Sequence, residues 1–294
     1  MAAPRYREGG LMADQTIVSP RPDPTADCTW RAMKAFGYVT VAILIVVGLC
    51  AWLGQWYYLD PSFTKGNGLQ PRFLEALAYG LERTLIILVV SVVVGYLMAI
   101  PIGLVQVIGP WPLKWLAVGF CTFIRGTPLL VQLWLLYYGV GSLFPLVPGL
   151  RHSFIWPLLQ DGFNYALVAF ILSFAGYEAE IMRGGFLGVP RGELEAARAV
   201  GMSPFTLLRR VWLPRALMLV LPTLSGEVVS QLKSTPLAAT VTVMDLYGVA
   251  AMIKADMFRT YEPLLLVAAI YGILTAIIAT GFRFVENLVP QKRG

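Results

Sequence analysis

The sequence is poor in charge. Of its 294 residues only 14% are Asp, Glu, Lys or Arg, against 57% that are hydrophobic, and mean hydropathy is +0.68. A water-soluble domain of ordinary make-up carries about 25% charged residues. That deficit excludes a globule wetted on all sides and makes lipid the expected solvent. Histidine is nearly missing: His152 is the one copy. A lone imidazole in a polar loop reads as a surface residue rather than a ligand or general base. The three cysteines, Cys28, Cys50 and Cys121, match no zinc or haem spacing. Two of them lie in apolar runs, so free thiols are expected and no disulfide framework. The sequence also lacks a G-x-x-x-x-G-K-S/T phosphate loop. No paired carboxylates and no Ser/His/Asp or Cys/His set can be assembled into a reactive site. The chain is therefore expected to be non-enzymatic, with no metal and no cofactor of its own. The net charge of +6 raises nucleic acid as a partner. The basic residues flank apolar runs and form no basic groove, which argues against it.

What the sequence has in abundance is long apolar runs. After a polar, Pro-rich stretch over 1–35, read as a disordered tail, six runs follow at about 36–54, 84–106, 113–138, 163–182, 215–240 and 262–286. Each approaches the roughly 20 residues that span about 30 Å of hydrocarbon as a helix. Backbone in lipid must satisfy its own hydrogen bonds, and the alternating segments of a barrel are missing. The expected fold class is thus an all-α membrane protein of about six transmembrane helices. Lys and Arg concentrate in the tail, in the segment 183–214 and at the C-terminal end, including Arg191, Arg198, Arg209, Arg210, Arg283, Lys292 and Arg293. Basic residues mark the cytoplasmic side, so both termini are expected there.

The segment 183–214 carries the most information. Pro190 opens a stretch in which Glu193 and Glu195 occupy a first turn, Glu195-Ala196-Ala197 favours helix and Gly201 is placed to end it, predicting a short cytoplasmic helix. The spacing Glu195-Ala196-Ala197, Gly201, Val211-x-Leu213-Pro214 resembles the EAA loop of importer permeases in the ATP-binding-cassette superfamily, with Val211 where Ile is commoner. Other segments are similar to the polar amino acid branch, which includes histidine, arginine and opine importers. These are Gly80-Leu81-Glu82-Arg83-Thr84-Leu85, the run Phe123 to Gln132, the run Gly176 to Gly184, and Lys233-Ser234-Thr235-Pro236-Leu237, where Pro236 replaces the usual Ser. The resemblance covers about Gly80 to Arg283.

Several expectations follow from the resemblance. The fold is that of a type I importer transmembrane subunit, with a permease domain over 80–283 and a cytoplasmic end over 284–294. The run 36–54 is an additional N-terminal helix outside the common core. Gly192, Glu195, Ala196, Ala197, Gly201, Leu213 and Pro214 make the coupling segment that docks on a separate ATPase dimer, which uses the ATP. A second permease, identical or not, and a periplasmic amino-acid-binding protein complete the machine in a bacterial inner membrane, with a polar or basic amino acid or an opine as cargo. Charges inside spans are costly and mark pathways or pair with one another. Arg125, Thr127, Glu180, Lys233 and Ser234 are the candidate pathway residues, with mutual pairing between helices the alternative for the charged ones. Arg125-Gly126-Thr127-Pro128 is expected to break the third helix. Two competing readings stay open: a secondary transporter, which would work without an ATPase, and a membrane scaffold that moves nothing.

Overall fold

The computed structural model describes residues 69–258 and 260–288. The expected tail and first span lie outside the described residues. Every regular element among the described residues is helical. Helix α1 (Leu69–Ile108) contains the second predicted run, and an 18-residue window within its Ala76–Ile108 stretch has a mean hydropathy of 2.8. The third predicted run, 113–138, is two helices instead of one: α2 (Trp111–Gly126) and α3, which runs over Leu129–Leu146 with a π-helical turn at Leu135–Val140. The break has a local cause. Pro128 disfavours helical backbone at the residue before it, and Thr127 is accordingly extended at φ −114°, ψ 139°.

After a short helix α4 (Trp156–Gln160), the chain runs back as α5 (Gly162–Gly188). Asp161 caps α5 by accepting a hydrogen bond from the Phe163 backbone N–H at 3.0 Å. The short helix α6 (Arg191–Ala199) follows, then a turn of helix at Pro204–Leu207, a π-turn at Leu208–Trp212, and α7 (Leu213–Ser234). A 3-10 turn at Thr235–Val241 leads into α8 (Leu246–Met257), which is bent by 49° from the helix before it. The last helix is α9 (Tyr261–Leu288). Four of these helices are long and apolar enough to cross a membrane, or five when the bent pair counts as one span. Those five account for the five runs expected after 36–54, the third having moved to Leu129–Leu146.

The centre of the bundle is the α1–α5 pair, with α2 and α7 against α5, and α9 against α7 and α8. Lipid gives helices no hydrophobic reason to associate, so close backbone approach carries the contact. Gly95, Ala99 and Gly103 repeat every four residues along one face of α1. A methyl group at Gly103 would stand 2.8 Å from the Ala179 carbonyl oxygen of α5, and one at Gly95 would stand 2.9 Å from the Phe174 ring. Ala99, Ala175 and Ala179 are fully buried. Polar ties cross the same layer: Gln231 of α7 donates to Ser91 Oγ of α1 at 3.1 Å and to the Phe170 carbonyl of α5 at 3.0 Å.

Helix α8 is fastened at its start. Asp245, wholly buried, accepts from the Gly248 N–H at 2.8 Å and lies 3.4 Å from the Tyr271 hydroxyl. Tyr271 also shares a 2.8 Å hydrogen bond with Thr235, and Thr84 of α1 accepts from the Leu246 N–H at 3.1 Å. One cluster thus joins α1, α8, α9 and the turn after α7.

Gly103→Leu should force α1 and α5 apart and cost about 1–3 kcal/mol or more, as overpacking does. Asp245→Ala should remove the α8 cap and cost about 1 kcal/mol. Thermal unfolding of purified protein in detergent reads both. A Gly103→Leu protein that unfolds at the wild-type temperature would contradict the close contact.

Candidate functional site

The segment between α5 and α7 is built as a rigid bracket. Helix α6 spans nine residues with Glu193 in its first turn, where acids suit the helix dipole. Its end is a Schellman turn: the Gly201 N–H donates to the Arg198 carbonyl at 2.9 Å and the Met202 N–H to the Ala197 carbonyl at 3.2 Å. Gly201 has φ +79°, and no atom lies near where a side chain would start. It is therefore needed for conformation and not for space. Met202 folds back onto the cluster that buries Ala197, together with Met182, Phe186, Leu207, Trp212 and Ala216. Trp212 donates its indole N–H to the Phe186 carbonyl at 3.0 Å and meets the Phe186 ring edge-on at 5.5 Å. Across the bracket, Arg215 of α7 grips the Glu193 carboxylate with two nitrogens, the Nε contact being 2.7 Å. This grip holds the Glu193 carboxyl below its ordinary range.

The predicted coupling residues divide on this bracket. Gly192, Glu195 and Ala196 are exposed on α6, while Ala197 is buried and seats the helix. Leu213 and Pro214 are half-buried at the start of α7, where Leu213 packs into the same cluster. Two apolar side chains that the sequence reading passed over stand out beside them: Val200, 73% exposed, and Phe205, 72% exposed. Their place on either side of the Gly201 turn was the available signal.

The five polar residues predicted within spans do not meet at one place. Arg125 and Glu180 face each other at 3.9 Å between α2 and α5, and Arg183 pairs with Glu180 at 3.0 Å. The Arg125 guanidinium also lies 5.7 Å from the Tyr177 ring centre. Thr127 serves the helix break. Its hydroxyl donates to the Phe123 carbonyl at 2.9 Å, and Gln132 of α3 donates to the Ile124 carbonyl at 2.8 Å and to Thr127. Carbonyls freed by the break are thereby satisfied without water. Lys233 and Ser234 belong to α7. There Thr223, Gly226, Ser230 and Lys233 are exposed along one face, with Glu227 half-buried beside them. The other side of α7 buries Val220, Val228, Gln231 and Leu232 against the bundle. The sequence reading missed Thr223, Ser230 and Glu227. Successive steps of four, three and three residues from Thr223 through Glu227 and Ser230 to Lys233 would have shown a stripe.

These features define a multi-span membrane protein with a firmly mounted outlying helix and one polar face on a span. A family model described as binding-protein-dependent transport system inner membrane component matches residues 91–293. The octopine transport system permease protein OccM of Rhizobium radiobacter is 42% identical over 235 residues, which is 80% of this chain and 92% of that protein. The histidine/lysine/arginine/ornithine transport system permease protein HisM of Escherichia coli K12 is 36% identical over 208 residues, 71% of this chain and 86% of that protein. Among solved structures, an amino acid ABC transporter crystallised with histidines matches with a TM-score of 0.63 and 30% identity, covering 76% of this chain and all of that one. The MetNI methionine transporter matches at 0.61 with 19% identity, a likeness of fold. The chain belongs to the family of binding-protein-dependent transport system inner membrane components, the non-catalytic permease subunits of ATP-binding-cassette transporters.

Gly201→Ala should strain the left-handed turn by about 1 kcal/mol and loosen α6, seen as faster proteolysis between Pro190 and Met202. The Glu193–Arg215 grip has a definite pH sign. A carboxyl held below its ordinary range contributes stability that is complete above that range and is lost only as pH falls through the lowered value. The difference in protease resistance between wild type and Glu193→Gln should therefore be constant from neutral to weakly acid pH and close only in stronger acid. A difference that vanishes near neutrality would refute the grip.

Proposed function

We propose that this chain is the membrane-spanning permease of an ATP-driven importer for a polar or basic amino acid or an opine, working in a bacterial inner membrane with both termini in the cytoplasm. The observation that carries this reading is the bracket. Helix α6 presents Gly192, Glu195 and Ala196 outward, yet buries Ala197 in the cluster with Phe186 of α5 and Trp212, and is tied to α7 through Glu193 and Arg215. A separate ATPase docks on that exposed surface, with Val200 and Phe205 as apolar contacts beside it. When the docked ATPase pair closes, α6 cannot shift alone. Its displacement passes to α5 and α7 as one body, and the spans exchange between two states that differ in which side is open. The distribution of Lys and Arg supports the orientation, and the relatives' names support the cargo class.

The pathway runs along the polar face of α7. A stripe containing Lys233 cannot rest against lipid without cost, so it faces water-filled space shared with a second permease. Lys233 supplies a cation for the α-carboxylate common to all amino acids, and Ser230 and Ser234 supply hydroxyls near it. Arg125, Glu180 and Thr127 hold helices together instead: the first two pair across α2 and α5, and the third closes the break. A periplasmic binding protein delivers the cargo from outside.

Uptake of radiolabelled arginine, histidine and octopine into proteoliposomes tests the reading. The vesicles contain this chain with its ATPase, sister permease and binding protein, each omitted in turn. Uptake should require every component. Glu195→Lys should abolish it by displacing the ATPase from α6, and Lys233→Met should lower it about tenfold or more while leaving the ATPase bound, as loss of a charge-assisted hydrogen bond does. Uptake that persists without the ATPase would instead establish a secondary transporter.

A further inference from the structure

A polar cavity of about 380 Å³ lies between α1, α2 and α5, apart from the α7 face. Its wall carries Lys114, Arg125 and Arg183 against one acid, Glu180, together with Gln106 and Thr122. The acid is already engaged, since Arg183 gives it Nε at 3.0 Å and Arg125 approaches at 3.9 Å. Among the described residues Lys114 has no carboxylate partner. The cavity therefore keeps two positive charges in excess. Gln106 is 2% exposed and donates from Nε2 to Cys121 at 3.1 Å, but its carbonyl oxygen has no partner. That oxygen is shut off from the cavity as well as from protein donors, so the excess positive charge alone selects the ligand, an anion.

Position decides what that ligand is. Gln106 lies in the last turn of α1, Lys114 in the first turn of α2 and Leu187 in the last turn of α5. The mouth of the cavity is therefore level with helix ends on the side of the Arg-rich bracket. Beside Lys114, Trp111 and Trp115 are 73% and 63% exposed and meet edge-on at 6.2 Å. Exposed tryptophans at a helix start are anchors at headgroup depth. Further along α2, Leu116 and Phe123 are 71% and 61% exposed, an apolar flank for acyl chains. A phosphate at the level of Lys114 has the free ammonium and the unused terminal nitrogens of Arg183 on one side, and lipid tails along α2 on the other.

We propose that this cavity binds the headgroup of an anionic phospholipid from the leaflet on the bracket side. Its phosphate is held by Lys114 and Arg183. The site is separate from the cargo path along α7 and rests on the transmembrane reading of the helices alone. Because Arg183 sits on α5 between Met182 and Phe186 of the cluster that seats α6, an occupied site stiffens the mount of the bracket.

The test uses the assembled transporter in nanodiscs containing a photoactivatable phosphatidylglycerol or phosphatidylcholine, with cross-linked peptides mapped by mass spectrometry. Phosphatidylglycerol should label the α1–α2–α5 groove selectively. Lys114→Gln should weaken that labelling about fivefold, the share of one basic group near an anionic surface. Lys114→Arg should restore it, and Lys254→Gln on α8 should leave it unchanged, which separates loss of the site from loss of the fold. Three results would overturn the proposal: equal labelling by phosphatidylcholine, labelling indifferent to Lys114→Gln, or competition by excess inorganic phosphate. Competition by the transported amino acid would also overturn it and return the cavity to the cargo path. Because uptake is not the readout, failure here leaves the importer reading standing.

Discussion

The contact of α1 with α5 across Gly95, Ala99 and Gly103 is the constraint from which the rest of the structure follows. Lipid removes the hydrophobic incentive for helices to associate, so contact rests on how closely two backbones can come. With Gly103 against the Ala179 carbonyl there is no room for even one methyl group, and the register between the two helices is fixed. Everything else is positioned from that pair. One face of α5 carries Glu180 to α2, its end carries Phe186 to Trp212, and α1 carries Thr84 to the start of α8. Residues as distant as Thr84 and Gln106 belong to one continuous helix.

A second constraint acts where helices stop. Backbone groups freed where a helix stops must find partners, and three such places in this chain have them. Gln132 serves the break at Thr127, Asp245 serves the start of α8, and the turn at Gly201 serves itself through backbone bonds. Irregular backbone is tolerated at these places because polar side chains were supplied beside it. The same account explains the hydrogen bond that the Thr127 hydroxyl donates to its own helix at Phe123.

Much of this was legible in the residues. Five apolar runs gave five spans, because long runs have few alternatives in lipid. The helix from Arg191 to Ala199 followed from its proline, its acids and Gly201, all local signals. Two things were not legible. The break at Arg125-Gly126-Thr127-Pro128 was expected, but the third run was drawn across it over 113–138, whereas the apolar helix of membrane length begins only after Pro128 and continues to Leu146. The grouping of polar residues was also hidden. Arg125 with Glu180, and Lys233 with Ser230 and Thr223, are set by which face each helix turns to its neighbours, and that depends on partners far away in sequence. Gln106 and Lys114, which flank the turn between α1 and α2, gave no motif at all.

The fastening of α8 has a mechanical consequence. Its first residues are tied to three other parts of the molecule through Asp245, Leu246, Tyr271 and Thr84, while Thr242 and Phe258 at either end take left-handed backbone angles. Buried Val249, Ala250 and Ile253 extend that anchorage along the helix, with Ala250 packed against Val267 of α9. A displacement of the Asp245 cluster is therefore shared by α1, α8 and α9 as one body.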